Sequence, residues 1–316
     1  MGNQVVIFDT SACSENLGDF IIMASVNQEM SPLLGSRQAI TVPTHANIGK
    51  RGRKLIKSSD FCLVGGTNLL TSFAYQYRQW KFKWPDLMHL NNAILVGVGW
   101  WKYQAKPSAF TGMVYRRILS SEYQHSVRDE YTKKMLASIG IKNVINTGCP
   151  TMWSLTPEHC SQIREERSES VVFTLTDYRQ NQSDDRFLIE QLIENYKHVY
   201  FWPQGIGDIK YFETLGQFSR EVDILPANVE AFNDCLVKKE ADYVGTRLHA
   251  GMRALQLKSR SIIIAVDNRA KEKSKSFNIP SVDRSERNAL KCKINSNFKT
   301  QIHLPLENIE TFRSQF

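Results

Sequence analysis

The stretch ADYVGTRLHAGMR, from Ala241 to Arg253, reads as a buried strand, a tight turn and a helix. Gly245 ends the strand, and Thr246 is of the type that caps a helix by accepting from its first free N–H groups. Leu248, Met252 and Leu255 recur at i, i+4 and i+7, which predicts a face turned to a core. Arg247 and His249 then fall in the first helical turn, on the side away from that core. A strand that feeds a helix at once is half of a strand–helix–strand crossover, the unit of a parallel sheet.

The same alternation repeats outward in both directions. Strands are expected at Gln4–Asp9, Ala39–Val42, Phe61–Gly65, Ala93–Gly97, His125–Val127 and Val144–Thr147. They resume at Val171–Leu175, His198–Trp202, Val222–Leu225, Asp242–Gly245 and Ser261–Val266. Runs such as FCLVG and AILVGVG are apolar throughout, as in parallel strands covered on both faces. Helical spacing is expected over Tyr131–Ile139, Asp184–Tyr196, Asp208–Phe218, Asn228–Lys238 and Leu248–Leu257. The polar stretch Thr156–Ser170, TPEHCSQIREERSES, breaks the pattern and predicts a boundary. The expected organisation is α/β, with Rossmann-like domains of mostly parallel strands over 1–158 and 168–316. The C-terminal tail is expected to pack back on the first. In such sheets ligands bind beyond the carboxyl ends of the strands, so the active site is expected between the halves.

Composition narrows the class. The 316 residues are 42% hydrophobic and 23% charged, a globular balance with room for two cores. The first residues lack a basic segment followed by an apolar run, and the longest apolar stretches are strand-sized, so a cytoplasmic location is expected. Six cysteines without a CxxC pair fit reduced thiols better than disulfides or a zinc site, and no metal is expected. The net charge of +8 is dispersed, with modest clusters at Lys50–Lys57 and Arg269–Lys275, and no nucleic-acid signature accompanies it. Anionic small molecules, and after them a membrane surface, are the partners it favours, with a mildly basic solvated surface as the equal alternative.

The candidate residues sit just after strands. Arg247 offers a planar fork for phosphate or carboxylate beside a helix start, and His249 offers a proton near neutral pH. Their bland alternatives are a surface cap and a satisfied buried histidine. Arg128, in SVRDEY, reaches a strand end, or pairs with a neighbouring acid, while Asp129 suits an N-cap. Asn16 and Asp19 lie in the NLGD turn. Gly65, Gly66 and Thr67 form another turn whose N–H groups suit an anion, although most strand-ending glycines simply make turns. Gln204 is placed to bind a sugar hydroxyl, and Asp267-Asn268-Arg269 could do likewise.

Taken in order, NLGD at 16–19, GGTNLL at 65–70, GVGW at 97–100, SVRDEYTKKML from 126, TGCPT at 147–151 and DYVGTRLHAGMRAL at 242–255 resemble the polysaccharide pyruvyl transferase family. The resemblance implies two Rossmann-like domains in a GT-B-like arrangement. It implies phosphoenolpyruvate as donor and co-substrate, with no separate cofactor, and a sugar or oligosaccharide, lipid-linked forms included, as acceptor. Carried over, it makes Arg247, Arg128, Thr246, Gly65, Gly66 and Thr67 donor-binding, His249 the acid/base, and Asn16, Asp19 and Gln204 the acceptor side. The chain departs from the family pattern at Thr67, where a third glycine is common, and at Cys149, where an Asp is usual. It also lacks a His between Tyr75 and Trp84. The rival readings are a GT-B glycosyltransferase using a nucleotide sugar and a carbohydrate-binding homologue without catalysis.

Overall fold

Val5, Val6, Ile7 and Phe8 are consecutive, apolar and buried, as in a strand covered on both faces. The computed structural model describes residues 3–76, 79–218, 220–266 and 268–316, without the side chains of Asn268, Arg269, Glu272 and Lys273. The chain divides into two units. The first comprises Met1–Ser14, Ile22–Trp153 and Pro305–Phe316; the second comprises Glu15–Ile21 and Ser154–Leu304.

In the first unit β1 (Gln4–Asp9), α1 (Leu17–Met30, which begins in the second unit), β2 (Gln38–Pro43), α2 (Gly49–Ser58), β3 (Cys62–Gly65), α3 (Trp84–Leu87) and β4 (Ala93–Val96) alternate along the chain. They are followed by α4 (Ala109–Ile118), β5 (His125–Val127), α5 (Glu130–Ala137) and β6 (Val144–Asn146). The sheet order is β2-β1-β3-β4, all parallel, and β5 and β6 form a parallel pair that single bridges, Ala93 to Leu119 and Val98 to Val127, tie to β4. The strand order reverses between β1 and β3. The core joins Val6, Phe8, Val64, Leu95 and Trp100 to helix residues such as Ile56 and Tyr115.

The second unit runs α6 (Pro157–Cys160), β7 (Ser170–Thr174), α7 (Gln182–Asn195), β8 (His198–Phe201), α8 (Asp208–Glu213) and β9 (Val222–Ile224). It continues through α9 (Val229–Lys238), β10 (Asp242–Gly245), α10 (Leu248–Gln256), β11 (Ser261–Ala265), α11 (Asn268–Phe277), β12 (Ser281–Asp283) and α12 (Arg287–Asn295). Its six parallel strands stand in the order β12-β11-β10-β7-β8-β9, the doubly wound arrangement, with the reversal between β7 and β10. The last helix, α13 (Leu306–Arg313), belongs to the first unit. There Phe312 packs on Trp153, and Asn308 donates to the Asn146 carbonyl at 2.9 Å.

The expected strands form within about a residue at either end, and β12 is an addition. Helix starts follow side-chain chemistry: Ser108, Asp129, Thr156, Asn181 and Asn228 each accept from the N–H three residues on, a contact worth about 1 kcal/mol apiece. The polar stretch after Thr156 is anchored. Arg164 reaches Asp242 at 2.9 Å, and the fully buried Arg260 pairs with the same carboxylate at 3.0 Å while holding the carbonyls of Lys293, Ile294 and Ser296.

Candidate active site

The strand-order reversal of the second unit puts the ends of β7 and β10 side by side. Gly245 is needed there, because a Cβ on it would stand 2.5 Å from Thr174 Oγ1 and 2.7 Å from Thr174 N. Beyond it the chain stays tied to β7: Thr246 N donates to Thr174 O at 3.1 Å, and the Thr246 and Thr176 hydroxyls meet at 2.8 Å. Tyr243 Oη donates to the Arg247 carbonyl at 2.7 Å from within β10.

These bonds hold the backbone extended one residue further than the sequence predicts. The N-cap of α10 is Arg247, with φ −98° and ψ 109°, and not Thr246, whose hydroxyl is engaged with Thr176. Arg247 also departs from the open position expected of it. It is 4% exposed; Nε donates to Leu175 O at 2.8 Å, and Nη2 bonds Asp177 at 3.0 Å and Asp208 at 2.5 Å. The Tyr178 ring lies 5.0 Å from its guanidinium carbon. An arginine at the crowded end of two strands is buried by its own loops, so the fold supplies carboxylates to neutralise it.

Asp208 is fully buried. Its Oδ2 accepts from the N–H groups of Gln204 and Gly205, at 3.1 and 2.8 Å, and its Oδ1 accepts from Asp177 N as well as from Arg247. Burial pushes the Asp208 carboxyl above its ordinary range, and the Arg247 charge and these N–H groups pull it back. Burial also works against the Arg247 charge, but Asp208, Tyr178 and Asp177 outweigh it and hold that group above its usual value. The guanidinium stays protonated. Sequence reasoning misses Asp177, Asp208 and Tyr178; the signal for them is an acid close behind β7 and another behind β8, the next two strands on one side of β10.

The same loop carries Gln204. Its Nε2 donates to Asn16 Oδ1 at 2.8 Å, its carbonyl accepts from Leu17 N, and Asn16 forms an isolated bridge with Gly205. A Cβ on Gly18 would come within 2.7 Å of Gln204 Nε2 and would displace that amide. Asp19, buried in the first turn of α1, donates its N–H to Asn16 O at 3.0 Å. Gln204 Oε1 is buried and has no hydrogen-bond partner among the described residues. Arg247, Thr246, Asn16 and Gln204 are thus joined through Asp208 and Gly205, a Cβ on which would stand 2.6 Å from Arg247 Nη2. His249 is half-buried in the first turn of α10, a helix that begins without a side-chain cap. Asp267 lies outside the described residues, as do the side chains of Asn268 and Arg269.

In the first unit a separate group forms at the carboxyl ends of β3, β4 and β5. A Cβ on Gly66 would stand 2.5 Å from Gly97 O, so that glycine permits a backbone contact. A Cβ on Gly65 would instead meet the flexible Met23 side chain, its sulfur at 2.3 Å. Thr67 O accepts from Leu69 N and Gly99 N. Arg128 is buried against Gly99; it bonds the Asn68 amide oxygen and lies 3.7 Å from Asp129, the N-cap of α5. Cys149 is buried and accepts from Thr151 Oγ1. Among the described residues no cluster of His, Cys, Asp and Glu is arranged to hold a metal, and no helix is long and apolar enough to cross a membrane.

The chain is similar to UDP-GlcNAc 2-epimerase of Methanocaldococcus jannaschii, solved with UDP-GlcNAc and UDP. The two share 13% identity and a TM-score of 0.54, over 99% of this chain and 98% of that one. This likeness shows the fold, two Rossmann-like units of the GT-B type. The wall teichoic acid polymerase TagF gives 9% identity and a TM-score of 0.47 over 99% and 81% of the two chains. The E. coli heptosyltransferase WaaC gives 12% and 0.44 over 92% and 98%. No curated protein is similar enough in sequence to match. The model of the polysaccharide pyruvyl transferase family matches residues 16–268, which take in both groups of strand-end residues. The chain therefore belongs to the polysaccharide pyruvyl transferase family and is a polysaccharide-modifying transferase.

Proposed function

We propose that the chain moves the pyruvyl group of phosphoenolpyruvate onto a sugar of a cell-surface polysaccharide or its precursor, free or lipid-linked, as a cyclic ketal. The observation that carries this reading is the start of α10. Its N-cap supplies no side-chain bond, and the dipole of a helix start favours an anion there, beside His249 and next to a charged arginine. None of the Arg247 bonds to Leu175, Asp177 and Asp208 uses Nη1, which leaves that nitrogen for the donor. The other bonds make Arg247 a brace for the loops after β7, β8 and β10.

Phosphoenolpyruvate brings a phosphate and a carboxylate. A proton from His249 to its C3 makes C2 electrophilic. A sugar hydroxyl adds to C2 and loses its proton, and the C2–O bond to phosphate breaks. A second hydroxyl of the same sugar then adds at C2, loses its proton and closes the ketal. Gln204 Oε1 is an acceptor without a partner among the described residues, suited to one of those hydroxyls, with Asn16 and Asp19 holding its loop. In the first unit, Arg128 and the Gly65–Thr67 turn are by themselves suited to an anion and are the further candidates for donor binding. Phosphoenolpyruvate is the co-substrate, and the reaction is cytoplasmic in this reading.

Mass spectrometry of candidate oligosaccharides incubated with phosphoenolpyruvate tests the reading. A gain equal to pyruvate less one water, with release of phosphate, is expected. Transfer of a glycosyl mass from a nucleotide sugar under the same conditions, with none from phosphoenolpyruvate, would overturn it.

A further inference from the structure

The charge of this chain is unevenly placed. From Gly49 to Ile118 there are twelve Lys and Arg against two Asp and no Glu, a net of +10 in a chain whose total is +8. Neither Asp is free to offset the surface. Asp86 is buried and paired with Arg53 at 3.0 Å, and Asp60 is paired with Arg37 at 3.4 Å. Crossovers from β2 to β3 to β4 to β5 all step the same way through the sheet order, so right-handed connections put α2, α3 and α4 on one face. Their contacts agree: Arg53 of α2 meets Asp86 of α3, Arg117 of α4 donates to the Met88 carbonyl just after α3, and Trp84 of α3 packs on Phe110 of α4.

The same layer presents apolar side chains to solvent. Trp84 is 66% exposed and Met88 67%, and Tyr75, Tyr103 and Met113 are exposed as well. Trp84 and Tyr75 both stand edge-on to Phe110, at interplanar angles of 69° and 79°. They form an apolar cluster, and not a row of flat faces on which bases could stack. Aromatic rings with a polar edge and lysines with long apolar stems suit the boundary between headgroups and acyl chains.

We infer that the α2–α3–α4 face of the first unit docks on an anionic lipid bilayer. The basic residues of α2 approach the headgroups, and Trp84 and Met88 enter the interface. Lys50, Lys54 and Lys57 fall at i, i+4 and i+7, one exposed stripe of α2. Each basic residue near such a surface strengthens partitioning about fivefold, so removing the stripe weakens it on the order of a hundredfold. The inference does not depend on the donor or acceptor proposed above, because its test reads binding and not turnover.

The test is cosedimentation of the full chain with vesicles of phosphatidylcholine alone and of phosphatidylcholine mixed with phosphatidylglycerol, across a salt series. Duplex RNA serves as the competing polyanion. Expected are binding to the mixed vesicles only, loss with salt, and the stated loss in the Lys50→Gln/Lys54→Gln/Lys57→Gln variant at unchanged melting temperature. Brominated lipid should quench the tryptophan fluorescence of the wild type more than that of Trp84→Phe. Absence of vesicle binding, equal binding to neutral vesicles, an unaffected triple variant, or tighter binding to RNA than to the mixed vesicles would overturn the inference.

Discussion

Replacing Arg247 by Met keeps most of the side-chain volume and removes the charge, and the structure sets the consequence. Three bonds go: Nε to Leu175 O, and Nη2 to Asp177 and to Asp208. Asp208, fully buried, keeps only the N–H groups of Asp177, Gln204 and Gly205. Leaving a buried charge without its partner costs about 3–5 kcal/mol. For a unit of this size that is a fall in melting temperature of roughly 10 °C. Adding Asp208→Asn removes the stranded charge, so the double variant should be more stable than the sum of the single losses predicts, by about 1 kcal/mol or more. The assay is thermal and denaturant unfolding of the four proteins of the cycle, with donor binding measured in parallel. Arg247→Lys keeps the charge but loses the fork, and should fall between wild type and Met in both readouts. If Arg247→Met melts with the wild type and loses only donor affinity, the arginine is a ligand group and no brace, and the reasoning fails.

Other predictions follow from single sites. His125 is fully buried in β5, with Nε2 donating to Ser120 O and Nδ1 accepting from Leu95 N, so it is neutral, and burial pushes its pKa from 6.5 down to about 4. Its contribution to stability is whole above pH 6.5 and declines as the pH falls toward 4, by up to about 3 kcal/mol; unfolding free energy measured across that window should lose this slope in His125→Gln. His249→Ala should cut turnover by roughly two to four orders of magnitude while donor affinity changes less than in Arg247→Ala; near-normal turnover would remove His249 from proton transfer. Gly18→Ala pushes on Gln204 and should raise the acceptor KM with little change in donor binding, as steady-state kinetics would show. In Gly66→Ala the new methyl meets Gly97 backbone, which cannot swing aside, so about 1–3 kcal/mol of stability should be lost on unfolding.

The parallel sheets were legible from the order of residues alone. Apolar runs of strand length such as Val5–Phe8 and Ile262–Ala265, between turn signals, fit a strand buried on both faces, and the strand–turn–helix signal at Ala241–Arg253 needs only neighbours in the chain. The same order also determined which residues stand at strand ends, because that is a matter of position along the chain. What it left open was their surroundings. Whether Arg247 is open or buried depends on Asp177 and Asp208, which lie 70 and 39 residues away and reach it only when β7, β8 and β10 are set side by side. The N-cap of α10 moved by one residue for the same reason: a threonine hydroxyl that suits a helix start locally was taken by Thr176 across the strand ends. Gln204 met Asn16 across 188 residues of chain. Short-range propensity decides elements because it acts between near neighbours. Charge pairing, burial and hydrogen-bond satisfaction act between whatever the topology brings together, and only the tertiary structure fixes that.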